Sequence, residues 1–227
     1  MVGKFHETKF DPENYDEFYE NHQFVPIPEK YAYTINEVIP RFGWGYDQVK
    51  KLNPKRLLDL GCLDGSFTLT VANNIPGCEV VGVDLTKDGI EIARTRALAR
   101  MLPAEYIQGK IETVLQTLPE NSFDVVTFFE VIEHVEDVQK VLKLIDRVLK
   151  PGGSVLVSTP DFESPLYGKD DEKNKCHIRL YTTEKEDYTA TNKYGNVRKA
   201  TSIWKEIGED RIKSIGVHNE LINVLYQ

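Results

Sequence analysis

Cysteine and methionine are scarce in this chain, and positive charge is in deficit. No apolar run reaches the roughly 18 residues that a membrane-spanning helix needs, so no span is expected. The N-terminal stretch MVGKFHETKF has no apolar region of the signal-peptide kind, and none is expected there. The three cysteines, Cys62, Cys78 and Cys176, fit neither a disulfide framework nor a zinc-site spacing. Reduced thiols and a cytoplasmic location follow as expectations. Lys and Arg number 28 against 36 Asp and Glu, a net charge of −8. That balance argues against the broad basic face of a nucleic-acid binder, so a nucleic-acid partner is not expected. Internal repeats and low-complexity segments are missing too, although Lys169–Lys175 forms a charged loop. At 227 residues the chain is long enough for one domain with a sizeable core. Its oligomeric state cannot be read from composition.

What is present is organised around Arg56 to Asp84, RLLDLGCLDGSFTLTVANNIPGCEVVGVD. Leu57–Leu60 is a short continuous apolar run, as in a buried parallel strand. Phe67, Val71 and Ala72 then recur at helical spacing until Asn73-Asn74 and Pro76-Gly77 close a helix. Val80–Val83 reads as a second strand ending on Asp84. The result is a βαβ unit, which binds ligands at the carboxyl edge of its strands. A dinucleotide fingerprint would need glycine at 61, 63 and 66, but the chain has Gly61, Leu63 and Ser66. Asp59 and Asp64 flank that turn and would repel a diphosphate. They suit a ligand carrying positive charge. Asp84, 23 residues beyond Gly61, stands where an acid accepts hydrogen bonds from ribose hydroxyls. A ribose joined to a cationic end describes S-adenosylmethionine.

Asp59-x-Gly61-Cys62-x-x-Gly65, Val83-Asp84 and Leu149-Lys150-Pro151-Gly152-Gly153 together resemble the class I (Rossmann-like) S-adenosylmethionine-dependent methyltransferases over about residues 50–160. The resemblance implies an α/β fold: a seven-stranded, mostly parallel sheet in the order 3-2-1-4-5-7-6, helices on both faces, and an antiparallel seventh strand. It implies S-adenosyl-L-methionine as donor and S-adenosyl-L-homocysteine as product. Cofactor contacts are expected from Asp59, Gly61, Cys62, Gly65, Asp84, Leu85, Gln108, Gly109 and Glu130. The family commonly has Asp or Asn where Lys110 stands, which leaves the adenine contact to Gln108 or the backbone. Residues 1–50 are expected as an arm and helices over the cofactor, with Tyr15 or Tyr19 near the methionine end. Residues 51–160 form the core, and 161–227 a substrate cap and terminal hairpin.

Further elements follow from pattern. Tyr31–Ile39 and Trp44–Lys51 read as a helix pair broken at Pro40 and Gly43. A helix from Lys87 carries Ile90, Ala93, Ala97, Leu98 and Met101 on one side, with Arg94, Arg96 and Arg100 facing water. Glu105–Gln108, Phe123–Phe129 and Ser154–Thr159 read as strands, and Glu112–Leu118 and Asp137–Leu149 as helices. Arg211–Val217 and Leu221–Tyr226 read as the hairpin.

The chemistry is expected beyond the fourth strand, at Glu130-Val-Ile-Glu133-His134. Methyl transfer needs an acceptor held in line and a group to take its proton. His134 is the natural base because imidazole titrates near neutrality. Glu130 and Glu133 complete the catalytic set. The same residues with His177 are candidate ligands for a divalent metal, which is possible but not favoured; the rival places them in the pocket wall and at a helix N-terminus. His177 and Arg179 are candidates for acceptor recognition. His6, His22 and His218 lack convergent partners and read as surface histidines.

The EVIEHV wording resembles ubiquinone-type O-methyltransferases and, as a second group, metal-using small-RNA 3′-terminal 2′-O-methyltransferases. The favoured reading is methyl transfer to an oxygen, or a nitrogen, of a small-molecule acceptor. The alternatives are metal-assisted methylation of RNA 3′-ends and a non-catalytic cofactor-binding protein on the same fold. A nicotinamide-dependent oxidoreductase fails on the turn spacing.

Overall fold

Short strands, most of them buried along nearly their whole length, with a helix after each of the first four, produce the layered sheet of this protein. The computed structural model describes residues 25–160, Tyr181, and the backbone of strands at 190–192, 195–197, 212–218 and 221–226. Two 3-10 turns, Glu29–Tyr31 and Ile35–Glu37, lead into α1 (Pro40–Leu52). Then follow β1 (Arg56–Leu60), α2 (Ser66–Asn74), β2 (Glu79–Asp84), α3 (Lys87–Ala99), β3 (Ala104–Gln108) and α4 (Ile111–Thr117). Next come β4 (Phe123–Phe129), a 3-10 turn (Ile132–His134), α5 (Val138–Val148) and β5 (Leu149–Pro160). Beyond these are β6 (Ala190–Asn192) paired with β7 (Gly195–Val197), then β8 (Ile212–His218) and β9 (Leu221–Tyr226).

The main sheet has the order β3-β2-β1-β4-β5-β9-β8. The sheet has the expected seven strands, mostly parallel: β1 to β5 pair in parallel, β9 pairs antiparallel with β5, and β8 antiparallel with β9. Successive strand residues point to opposite faces, and both faces are covered. Leu58, Leu60, Val81, Val83, Val126 and Phe128 meet α4 and α5 on one side. Leu57, Val80, Val125 and Phe129 meet α1 and α2 on the other. The α5 stripe lies inward as its spacing predicts, and Asp137 caps the helix by accepting from the Lys140 N–H at 2.9 Å.

Two expectations are corrected. In place of a helix pair broken at Pro40 and Gly43, one helix starts at Pro40 and runs through Gly43 and Gly45. Proline at a first helical position loses no hydrogen bond. The glycines serve packing: a Cβ on Gly45 would sit 2.6 Å from the Phe129 ring.

The second correction concerns α3. Leu98 and Met101 are exposed, at 79% and 90%; of the arginines expected in water, Arg94 and Arg100 are exposed but also contact the fold, and Arg96 is largely withdrawn from solvent. Arg96 pairs with Asp64 at 3.0 Å and donates to the Ile27 carbonyl; Arg94 donates twice to the Tyr106 carbonyl; Arg100 lies 3.6 Å from the Tyr33 ring centroid. Hydrophobic periodicity scores Leu and Met as inward, but it gives no weight to a guanidinium bridging neighbouring segments.

The Arg96–Asp64 pair is buried on both sides, so removing one partner strands a charge. Arg96→Ala is expected to lower unfolding free energy by roughly 3–5 kcal/mol. Lys87→Ala, which breaks only an exposed pair with Glu91, is expected to cost under about 0.5 kcal/mol. Urea unfolding of both variants checks the contrast, and equal losses would contradict it.

Candidate functional site

The carboxyl ends of β1, β2 and β4 open onto a cleft of about 670 Å³, within the ~300–1,000 Å³ range of small-molecule sites. Its floor is the turn after β1. Gly61 adopts φ +78° and Leu63 φ +48°, and a Cβ on Gly61 would lie 2.3 Å from a Val131 methyl carbon. Glycine is required there for both reasons.

The turn's amides are committed within the protein. Gly61 N–H and Cys62 N–H both donate to the Val83 carbonyl, at 2.8 and 3.0 Å. Leu63 N–H donates to Asp84 Oδ2 at 2.8 Å, Gly65 N–H to the Cys62 carbonyl, and Ser66 N–H to Asp64 Oδ1. A bound pyrophosphate would find few donors. The geometry therefore agrees with the missing glycines.

Asp84 is held on both oxygens. Oδ2 accepts from Leu63 N–H, and Oδ1 from Thr86 N–H at 2.8 Å and Thr86 Oγ1–H at 2.7 Å. A carboxylate offers about four lone-pair sites, so a fixed acceptor remains for a ligand. Asp59 is buried where β1 meets β4, accepting from Thr127 Oγ1–H at 2.6 Å. Burial pushes its carboxyl up to about 7, Thr127 pulls it down, and the charge of Asp84 raises it further. Burial also pushes the Cys62 thiol well up, with Asp84 and Asp59 adding to the effect, so this thiol is not a nucleophile. Asp64 is spoken for by Arg96, Ser66 and the Ile27 N–H.

Beyond β4, Glu130 stands in the left-handed region with φ +57°. Its N–H donates to the Ser158 carbonyl at 2.9 Å and its Oε1 accepts from Ser158 Oγ–H at 2.7 Å. Glu133 is 2% exposed, accepts from Thr159 Oγ1–H at 3.0 Å, and lies 4.0 Å from His134 Nε2. Burial raises both glutamates above the usual carboxylate range; Arg41 opposes the shift in both, and Glu130 adds to it at Glu133.

The structure brings Asp59, Gly61, Cys62, Asp84, Leu85, Gly109, Glu130 and His134 to the cleft wall. Gly65, Gln108 and Glu133 do not line it. Gly65 sits at the N-cap of α2, where a Cβ would meet Ala93 at 2.7 Å and Tyr106 Oη at 2.9 Å. Gln108 is exposed, 3.4 Å from the Leu85 carbonyl. Glu130 precedes the 3-10 turn that carries Glu133 and His134, so the three do not share a helical face. Among the described residues no group of three or more His, Cys, Asp or Glu could hold a metal ion. Tyr15, Tyr19, His177, Arg179, His6, His22 and Cys176 lie outside the described residues, and His218 is described only as part of β8.

Sequence reasoning missed Arg41, which lines the cleft with its guanidinium 4.6 Å from the Phe42 ring centroid. Its Nε is buried and has no hydrogen-bond partner among the described residues. An arginine between Pro40 and Phe42 carries no signal of this. Thr127, the donor to Asp59, was equally invisible inside an apolar strand.

The family described as "Methyltransferase domain" matches residues 58–157. The ubiquinone biosynthesis O-methyltransferase of Vibrio atlanticus is 36% identical over 147 residues, 64% of this chain and 58% of that enzyme. Residues 58–157 are therefore similar to that domain family and to this O-methyltransferase. The chain spans little more than half the length of the curated relatives it matches. Two solved structures share the fold of this chain. The PH0226 protein from Pyrococcus horikoshii OT3 has a TM-score of 0.57 at 24% identity, covering 89% of this chain and 99% of that one. A SAM dependent methyltransferase from Aquifex aeolicus has a TM-score of 0.60 at 15% identity, covering 96% and 98%. No helix among the described residues is long and apolar enough to cross a membrane.

The raised carboxyl of Asp59 has a consequence for stability. Unfolded, the group releases its proton near the ordinary 3.8; folded, it does so at about 7. Between those values the folded state binds more protons, so stability falls as pH rises from about 4 to 7 and then levels. The loss is on the order of 4 kcal/mol. Asp59→Asn should lack this decline, which urea unfolding at pH 5 and pH 8 would reveal; parallel curves for the two proteins would contradict it.

Proposed function

We propose that the cleft binds S-adenosylmethionine and that the protein transfers its methyl group to an oxygen of a small-molecule acceptor, releasing S-adenosylhomocysteine. The observation that carries this reading is Asp84, a carboxylate fixed by three donors at the end of β2, beside a turn whose amides at Gly61, Cys62, Leu63, Gly65 and Ser66 are already committed. Such a site suits ribose hydroxyls and does not suit phosphates. The O-methyltransferase names of the relatives support the reaction class.

Each residue has a task under this reading. Asp84 accepts from the ribose hydroxyls, and Leu85 and Gly109 border the nucleoside. The backbone of Gly61 and Cys62 lets the ligand approach closely, with Asp59 and Glu130 facing its positive end. Arg41 takes the carboxylate of the amino-acid end, supported by its buried, unpartnered Nε among the described residues. When bound, the cofactor supplies an electrophilic methyl carbon on a cationic sulfur. His134, at the cleft wall, receives the acceptor's hydroxyl proton as the new carbon–oxygen bond forms. Glu130 and Glu133 hold the strand end that presents His134. Recognition of the acceptor is assigned to Tyr15, Tyr19, His177 and Arg179, within an arm at 1–50 and a cap at 161–227 around the 51–160 core. Cys62 and Cys78 are free and buried, which supports a reducing compartment such as the cytoplasm.

Calorimetry with S-adenosylhomocysteine tests the site. Asp84→Ala should weaken binding roughly 10- to 100-fold, the worth of a charge-assisted hydrogen bond; unchanged affinity in a folded variant would refute it. His134→Ala should leave cofactor affinity within about twofold and lower kcat about 10²- to 10⁴-fold, the span of general base catalysis. Full turnover by that variant on a small-molecule acceptor would remove His134 from the mechanism.

A further inference from the structure

One cleft carboxylate has a charge that the protein leaves unsettled. Asp59 has a neutral donor, Thr127, and the ionisable group that bears on it is another acid, Asp84 on β2; His134, Lys110 and Lys140 line the same cleft. Glu130, at the end of β4, lines the same cleft. The groups that bear on the ionisation of Asp59 include no cation. Arg96, from α3, is paired with Asp64 at 3.0 Å. Arg41, from α1, bears on Glu130 and Glu133. Burial meanwhile leaves Asp59 titrating near neutrality, at about 7. The charge of Asp84 contributes to that shift, and a positive centre brought by a ligand would oppose it.

We propose that Asp59 is the charge-selecting residue of the cleft, entering the complex as a carboxylate only when the bound nucleoside brings a positive centre. The exchange balances simply: the carboxylic acid and the cationic ligand give a carboxylate–cation pair and one proton released to solvent. An uncharged nucleoside of the same shape enters with Asp59 still protonated and releases none. The inference rests on the nucleoside-binding reading above and adds to it a criterion for which nucleosides are held tightly.

The test is calorimetry in two buffers of different ionisation enthalpy, which counts protons released on binding. It uses S-adenosylmethionine, S-adenosylhomocysteine and the uncharged 5′-methylthioadenosine over about pH 6–7, below the ordinary range of an α-amino group. The expected result is release of close to one proton per S-adenosylmethionine at about pH 6, falling to about half a proton at pH 7, with affinity rising about fivefold between the two. 5′-Methylthioadenosine should release none and bind independently of pH. S-adenosylhomocysteine, with its ammonium but no sulfonium, reports which positive centre ionises Asp59.

Asp59→Asn should abolish proton release. Thr127→Val, which removes the donor that favours the carboxylate, should move the affinity plateau to higher pH and keeps the test alive if Asp59→Asn does not fold. Proton release equal for S-adenosylmethionine and 5′-methylthioadenosine, or retained in Asp59→Asn, overturns the proposal and leaves the nucleoside reading standing. Failure of S-adenosylmethionine to bind the folded protein at any pH overturns both.

Discussion

The grip of Asp84 on Leu63 and Thr86 is the constraint on which the rest of the site depends. Three hydrogen bonds of 2.7–2.8 Å tie the end of β2 to the turn after β1 and to the start of α3. Without them Leu63 would have little reason to hold φ +48°, and the cleft floor would have no fixed shape. Gly61 and Cys62 complete the tie by donating to Val83, one residue before Asp84. Local geometry in the turn is thus set by a strand over 20 residues away, a non-local dependence of the kind that makes a rigid ligand platform.

Charge in the cleft is arranged by sorting acids into settled and unsettled ones. Asp64 is settled: Arg96, Ser66 and Ile27 all answer it. Glu130 and Glu133 are buried and raised, tied to Ser158 and Thr159 and moderated by Arg41. Asp59 keeps only Thr127. A buried carboxylate with one neutral donor is costly unless something compensates it, and that cost falls on Asp59 rather than on Asp64.

Much of this was legible beforehand, and the failures have physical causes. The βαβ unit showed itself because buried parallel strands are continuous apolar runs and glycine punctuates the turn between them. Asp84 was legible from its distance along the chain to Gly61. What could not be read was which of two adjacent acids, Asp59 and Asp64, faces the ligand, because that is decided by Arg96 on a helix 32 residues away. The same arginine is the one member of the expected solvent-facing row on α3 that turns inward. Proline and glycine misled at α1 for a related reason: Gly45 answers to the Phe129 ring, a partner the local pattern cannot name. Arg41 went unnoticed because nothing in a helix's own sequence reveals an unmet hydrogen-bonding need.

Ser158 touches Glu130 twice, through its carbonyl to the backbone and through its hydroxyl to the side chain. A left-handed conformation in a residue other than glycine persists only where neighbours over-determine it, and here a single neighbour supplies both restraints. The two restraints are separable: a change of side chain at 158 removes the hydroxyl bond to the carboxylate but leaves the carbonyl that holds the Glu130 backbone. The direction of the Glu130 carboxylate, not its backbone pose, is what the serine hydroxyl decides.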